Sequence, residues 1–291
     1  MTKNALALCV VLCTNSLNAM ALEAISEDEM SVLSAQDGIS VMLFPPAAGW
    51  RANEASLTDT NGIAASIIAG YTSAGTVLAK NVGMNLCTNG AGGACDTISA
   101  SPHIKLDFDM VGDHNGAAVG GGPMLNMAFS LAGGASKLRF FIDDIRLRNG
   151  QTGLNEKVLV DFVQNYVDIV PIGSSTLFAL QLGNESLGHM LHFTNGNFGT
   201  IDFGTVAFLD ASTPTNSVNF GFKLDQVDLT GTGFDVNTNG LIYTASNFGN
   251  GTMNATFSDV RMGGAAAASM GTFGLQGISV TNLAVTVAGK L

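Results

Sequence analysis

Asp235, Asn237 and Asn239 place side-chain oxygens at alternate positions, and Gly240 follows them. That is the first half of an oxygen-rich calcium loop: hard oxygen ligands surround the cation and a glycine permits the sharp turn. The second half departs from the pattern, because Ser246 stands where such a loop supplies a bidentate acid. Thr238-Asn239-Gly240 between β-prone runs is equally the signature of a type I′ hairpin turn. Ca²⁺ on these residues is the only cofactor the sequence suggests.

A second polar cluster is Asp107, Asp109, Asp113, His114 and Asn115. On a strand, Asp107 and Asp109 project from one face. Paired carboxylates can hold a cation or divide acid and base work, and they also form the solvated side of an amphipathic strand. His189 and His192 would meet at a metal only on a helix; in the β-like run around them an odd separation sends them to opposite faces. The chain has no G-x-S-x-G elbow, no Walker loop and no H-E-x-x-H, so the motifs for nucleophilic, phosphoryl-transfer and zinc chemistry are missing. Gly231-Thr232-Gly233 lacks the third glycine and the βαβ setting of a dinucleotide site. No catalytic residues are expected, and the chain reads as a non-enzyme.

Cys87 and Cys95 flank Thr-Asn-Gly-Ala-Gly-Gly-Ala, a sequence suited to turning. Outside the cytosol two such cysteines should pair in a local disulfide, which is worth about 2–3 kcal/mol for so short a loop. That compartment is indicated by the N-terminus. Lys3 gives a positive start, Ala5 to Cys13 an apolar core, and Ala19-Met20-Ala21 a small-x-small cleavage site. This order reads as a secretory signal peptide over 1–21, with cleavage expected after Ala21. No later apolar run is long enough for a membrane helix, which needs roughly 20 residues.

Net charge is −11, from 12 basic and 23 acidic residues, and removal of Lys3 makes it one unit more negative. Such a surface repels phosphate backbones and anionic lipid, so nucleic acid is not an expected partner. Charged residues are only 12% of the chain and there are 36 glycines, which is unlike a charge-rich disordered tail.

The elements that would carry these residues are strands cut by glycine and asparagine turns. His103 to Met110 alternates apolar and polar residues. Leu138 to Leu147 changes phase at Asp143-Asp144, which predicts a bulge or bend. Thr200 to Phe208, Asn219 to Leu229 and Ser279 to Ala288 are further strands, and Ile39 to Phe44 is a first one. Glu156 to Val170 is ambiguous: polar residues recur at helical spacing but its valines favour strands, which we take as the stronger signal. Asp144-Ile145-Arg146-Leu147, Gln226-Val227-Asp228-Leu229, Asp259-Val260-Arg261-Met262 and Gly277-Ile278-Ser279-Val280 share a short pattern without a fixed period, and read as similar β edges. Glycine-rich stretches at Gly116 to Gly122 and Gly263 to Gly271 read as loops. One helix is expected near the N-terminus, where Ser26 and Glu29 form a capping box and Asp37-Gly38 stops it. The expected fold is therefore all-β, a large β-sandwich or elongated β-roll with one short N-terminal helix. Its divisions are 1–21 as signal peptide, 22–44 as helix and first strand, and 45–291 as the β-rich domain, with two subdomains allowed.

After the leader, Leu22 to Val41 resembles the start of FilA-like pilus-system proteins of Gram-negative bacteria. Those open with an acidic short helix followed by a variant of L-S-x-V-x-G-Q-D-G-I. Leu33-Ser34-Ala35-Gln36-Asp37-Gly38-Ile39 carries the end of that motif here, with Ala35 where the family often has glycine. The resemblance is confined to this N-terminal segment and implies a surface or pilus-associated role without catalytic residues. The combined expectation is an exported structural or accessory protein of a surface appendage. It would work by β-edge association with other envelope proteins, or with copies of itself, in the periplasm, on the outer-membrane surface or in the extracellular appendage. The alternative is a periplasmic or surface β domain that binds a hydrophobic or carbohydrate ligand.

Overall fold

The structure, a computed structural model, describes residues 38–59, 75–89, 95, 101–111, 124–149, 156–171, 176–183, 190–210, 212–213, 215–238 and 240–287. The expected signal peptide with Ala19 and Ala21, the helix expected after Ser26, and the stretch from Gly116 to Gly122 lie outside the described residues. Gly38–Leu291 forms one compact unit.

Among its described residues that unit is all-β, with 16 strands that belong to one sheet. In chain order they are β1 (Ile39–Leu43), β2 (Trp50–Thr58), β3 (Gly75–Cys87), β4 (His103–Val111), β5 (Met124–Ala132), β6 (Lys137–Phe141), β7 (Asp144–Asn149) and β8 (Glu156–Phe162). They continue as β9 (Tyr166–Val170), β10 (Thr176–Gly183), β11 (Leu191–Asn195), β12 (Asn197–Leu209), β13 (Ser217–Asp228), β14 (Thr232–Asn237), β15 (Gly240–Met262) and β16 (Phe273–Val287). Every pairing is antiparallel.

The strands are pieces of longer passes. β5 pairs with β10 while β6, next in the chain, pairs with β9, which leads into β10. Likewise β14 pairs with β11 while β13 pairs with β12. Neighbours keep the same lateral order on both sides of each interruption. The described residues thus make eight passes: β1–β2, β3–β4, β5–β6–β7, β8–β9–β10, β11–β12, β13–β14, β15 and β16. This is a meander, in which each pass lies beside the one before it.

The interruptions line up across the sheet, and the residues there explain why. Phe44 to Gly49 carries Pro45-Pro46, and the Gly49 N–H donates to the Pro46 carbonyl at 2.7 Å. The second pass is interrupted at the cysteine loop, and the third at Gly133-Gly134, both at positive φ. Gly196 separates β11 from β12, and Thr230-Gly231 separates β13 from β14. In β15, Gly249, Asn250 and Gly251 all have positive φ, and Gly277 does in β16. At Gly133 a Cβ would collide with the Ser101 carbonyl oxygen, so both space and dihedral require glycine. Apolar side chains from both sides of this row converge in one core, with Leu86 and Ile104 from the second pass, Leu131 and Leu138 from the third, and Leu177 from the fourth. Trp50, Phe129, Phe178 and Phe198 pack against it.

A second row of irregularities crosses the β2–β3–β6–β12 side. Asn81 and Asn165 sit at φ 50 and 63. The Asp143 N–H donates to the Lys80 carbonyl at 3.0 Å, and the Ile142 N–H to the Asn165 carbonyl at 3.2 Å. The Thr205 N–H is held by the Gln164 side-chain oxygen at 3.0 Å. Each kink thus satisfies backbone groups of its neighbour. The phase change expected at Asp143-Asp144 is the gap between β6 and β7. Glu156 to Val170 forms two strands around a turn at Val163–Asn165, which is why its polar residues imitate helical spacing.

The repeated four-residue pattern marks kinks in four separate strands. Gln226, Asp259 and Gly277 begin three of the copies and have φ of 56, 51 and 66. Asp144 begins the fourth, directly behind the Ile142–Asp143 gap. The stretch from Gly263 to Gly271 connects β15 to β16 and is closed by a Val260 N–H bond to the Gly271 carbonyl at 3.0 Å.

Candidate functional site

Cys87 and Cys95 are joined by a disulfide, with Cα atoms 5.0 Å apart. Cys87 is fully buried at the end of β3, so the bridge ties Cys95 to that end of the strand. Asp235 and Asn237 lie on β14, and Asn237 pairs with Gly240 at the tip of the β14–β15 hairpin. The Asp235 carboxylate accepts the Met190 N–H at 2.9 Å. Asn239 lies outside the described residues. Among the described residues no three His, Cys, Asp or Glu side chains are grouped to hold a metal.

Asp107 and Asp109 lie on β4 beside the first strand. Ser40, opposite Asp107 in register, donates its hydroxyl to that carboxylate, and Lys105 reaches it at 2.9 Å. The serine hydroxyl first, and then Lys105, hold the Asp107 carboxyl below the usual aspartate range. These contacts fasten β1 to β4. Asp113, His114, Asn115 and His189 lie outside the described residues, and His192 is on β11.

The densest charge lies on β2, β3, β7 and β8. Lys80 reaches Glu54 at 2.7 Å and Glu156 at 3.4 Å. Arg148 bridges the same two carboxylates at 2.8 and 2.6 Å. Arg146 grips Asp144 with two bonds of 2.6 Å and reaches Glu156 at 3.2 Å. Hydrogen bonds from Lys80 and Arg148 hold Glu54 below the ordinary glutamate range. A hydrogen bond from Arg148 does the same for Glu156, against a smaller opposing effect of burial. Asp161 behaves oppositely: burial, then the nearby Asp144 and Asp143, push its carboxyl up.

Sequence reasoning missed a buried ionic group on β6 and β9. Lys137 and Asp168 are 0% exposed, with Nζ 3.0 Å from the carboxylate. Arg139 adds bonds of 2.7 and 2.8 Å to the same carboxylate and lies 3.5 Å over the Tyr166 ring. Burial holds the Lys137 ammonium below the ordinary lysine value, against the opposing pull of Asp168. The available signal was Lys137-Leu138-Arg139: period-two alternation puts both cations on one face. The group ties β6 to β9. Beside it lies an open cleft with a volume of about 530 Å³, lined among others by Arg51, Asn81, Phe141, Asp143, Gln164 and Tyr166.

Charged side chains therefore hold strands together inside the sheet, and among the described residues its two sides are left unpaired. Among the described residues β16 pairs only with β15, β1 only with β4 and β2 only with β3. All five side chains of β1 are exposed, including Ile39, Val41 and Leu43. On β16 nearly every side chain is exposed, with Phe273 at 56% and Val287 at 63%. An aromatic ladder runs outward to this strand. Phe203 stacks on Phe222 at 5.0 Å, Phe222 on Phe257 at 4.8 Å, and Phe273 of β16 follows at 5.9 Å. The ladder ends on a ring whose far side has no aromatic neighbour among the described residues.

Comparison with known protein families, curated proteins and solved structures gives no match to this chain. No helix among the described residues is long and apolar enough to cross a membrane.

Proposed function

We propose that this protein is an exported structural or accessory component of a bacterial surface appendage, and that it works by β-edge association with other envelope proteins. The observation that carries this reading is β16. It is a 15-residue edge strand with apolar residues exposed along its length. Soluble proteins usually protect such an edge with charges, proline or a covering element, because its free N–H and C=O groups invite another strand. Main-chain bonds supply the affinity of such an addition, and alternate side chains supply its specificity. The disulfide suits an oxidising compartment, and the leader and the N-terminal resemblance support the same placement.

Cell fractionation with immunogold labelling of intact cells tests this reading. Label along surface filaments is the expected result, and label confined to the cytoplasm or the periplasm contradicts it.

The cleft beside Tyr166 favours a second reading, a polar ligand such as a carbohydrate. Amides and charges from Asn81, Gln164, Asp143 and Arg51 surround aromatic rings there. Glycan-array binding that is lost in a Gln164→Ala variant with unchanged folding would support it.

A further inference from the structure

We propose that the edge partner is a second copy of this chain, and that β16 of one copy adds to the β1 side of the next, head to tail, so that the sheet continues from copy to copy. This rests on the edge-association reading above and names its partner and its geometry.

The first argument is strand direction. Every pairing in the sheet is antiparallel, so direction alternates from pass to pass, and the first and last of eight passes run opposite ways. A second copy placed beside β16 in the same orientation therefore presents its β1 antiparallel to it, as at every other seam. An odd number of passes would force a parallel seam or a flipped copy.

The second argument is lateral position. The Phe273–Leu275 end of β16 pairs with the half of β15 that continues through β13 and β12 toward β2. The Ile278–Val287 end pairs with the half that continues through β14, β11, β10, β5 and β4 to β1. In an unrotated second copy the long end of β16 meets β1, and the bend rows of the two copies coincide.

The third argument is charge. The molecule carries −11, so two copies repel over most of their surfaces. Neither Ile39–Leu43 nor Phe273–Val287 contains an Asp, Glu, Lys, Arg or Pro. The two strands that would meet are thus uncharged and free of proline, and they expose apolar side chains. A contact between two different surfaces of one chain leaves a free edge at each end, so it propagates into a filament unless rotation closes it into a ring.

Complementary blocking tests this. One variant carries Val280→Lys and Val285→Lys on β16, the other Ile39→Lys and Val41→Lys on β1. All four positions are exposed in the monomer, and circular dichroism checks that the β spectrum is kept. Sedimentation velocity is run on the full chain as a Gram-negative host processes and exports it. The expected result is a series of oligomers for the unaltered protein, monomers for each variant alone, and a one-to-one dimer when the variants are mixed. Dimers of the β1 variant alone would mean that β16 pairs with β16, which overturns the head-to-tail geometry. A persistently monomeric unaltered protein, or variants that assemble as it does, overturns self-association. Surface label along filaments together with a monomeric purified protein would leave the appendage reading standing and reject only the self-pairing.

Discussion

Asp168 accepts hydrogen bonds from Lys137 and from two nitrogens of Arg139, and none of it is exposed. Removing one member of a buried ion group leaves charge without compensation, which costs about 3–5 kcal/mol. Asp168→Ala should therefore lower unfolding stability by that amount in denaturant titration, because it strands two cations. The surface carboxylates give predictions of opposite sign. Glu54 and Glu156 have folded pKa values below their unfolded ones, so their contribution is present above the unfolded value, about 4.3, and is lost as pH falls through the folded one. Thermal melts across pH 3 to 7 should show a steeper acid loss in the unaltered protein than in a Glu54→Gln, Glu156→Gln variant. Asp161 is raised, chiefly by burial, so its charge costs stability at neutral pH and the cost fades as acid protonates it. Asp161→Asn should raise the neutral-pH melting midpoint, with the gain shrinking toward low pH.

At the scale of elements, the two rows of kinks organise the sheet. Their residue types were visible in the sequence as glycines, asparagines and phase slips; the β6–β7 gap and the kink in β13 follow from phase slips, and β4 and β12 from their apolar patterning. Their alignment across the sheet was not legible, because register is a long-range property set by which pass lies beside which. The repeated pattern around Arg146 and Arg261 shows the limit well. It was read as strand edges, whereas Asp144 and Asp259 receive the arginine two residues on in the same strand, at 2.6 and 2.9 Å, just after a kink. Gly133→Ala should cost about 1–3 kcal/mol, from a left-handed φ of 63 forced on alanine and contact with the Ser101 carbonyl oxygen. Reduction of the Cys87–Cys95 bridge should lower the denaturation midpoint by the equivalent of about 2–3 kcal/mol. A Cys87→Ala, Cys95→Ala variant should match the reduced protein.

For the molecule as a whole, the all-β class followed from alternation and turn residues. That all the strands share one meandering sheet did not, since alternation says which face is apolar and not how many sheets share it. The buried ions stayed hidden for a related reason: Lys137 and Arg139 are near in sequence, but Asp168 joins them only through β6–β9 pairing. The candidate edge was half legible, as an alternating, uncharged C-terminal strand; its open side became visible only with the topology. Amide hydrogen exchange of Phe273–Val287 tests the central claim most directly, comparing the dispersed protein with the form recovered from the cell envelope. The account predicts that outward-facing β16 amides exchange fast when dispersed and become protected in the envelope-derived form. Equal, fast exchange in both would contradict it.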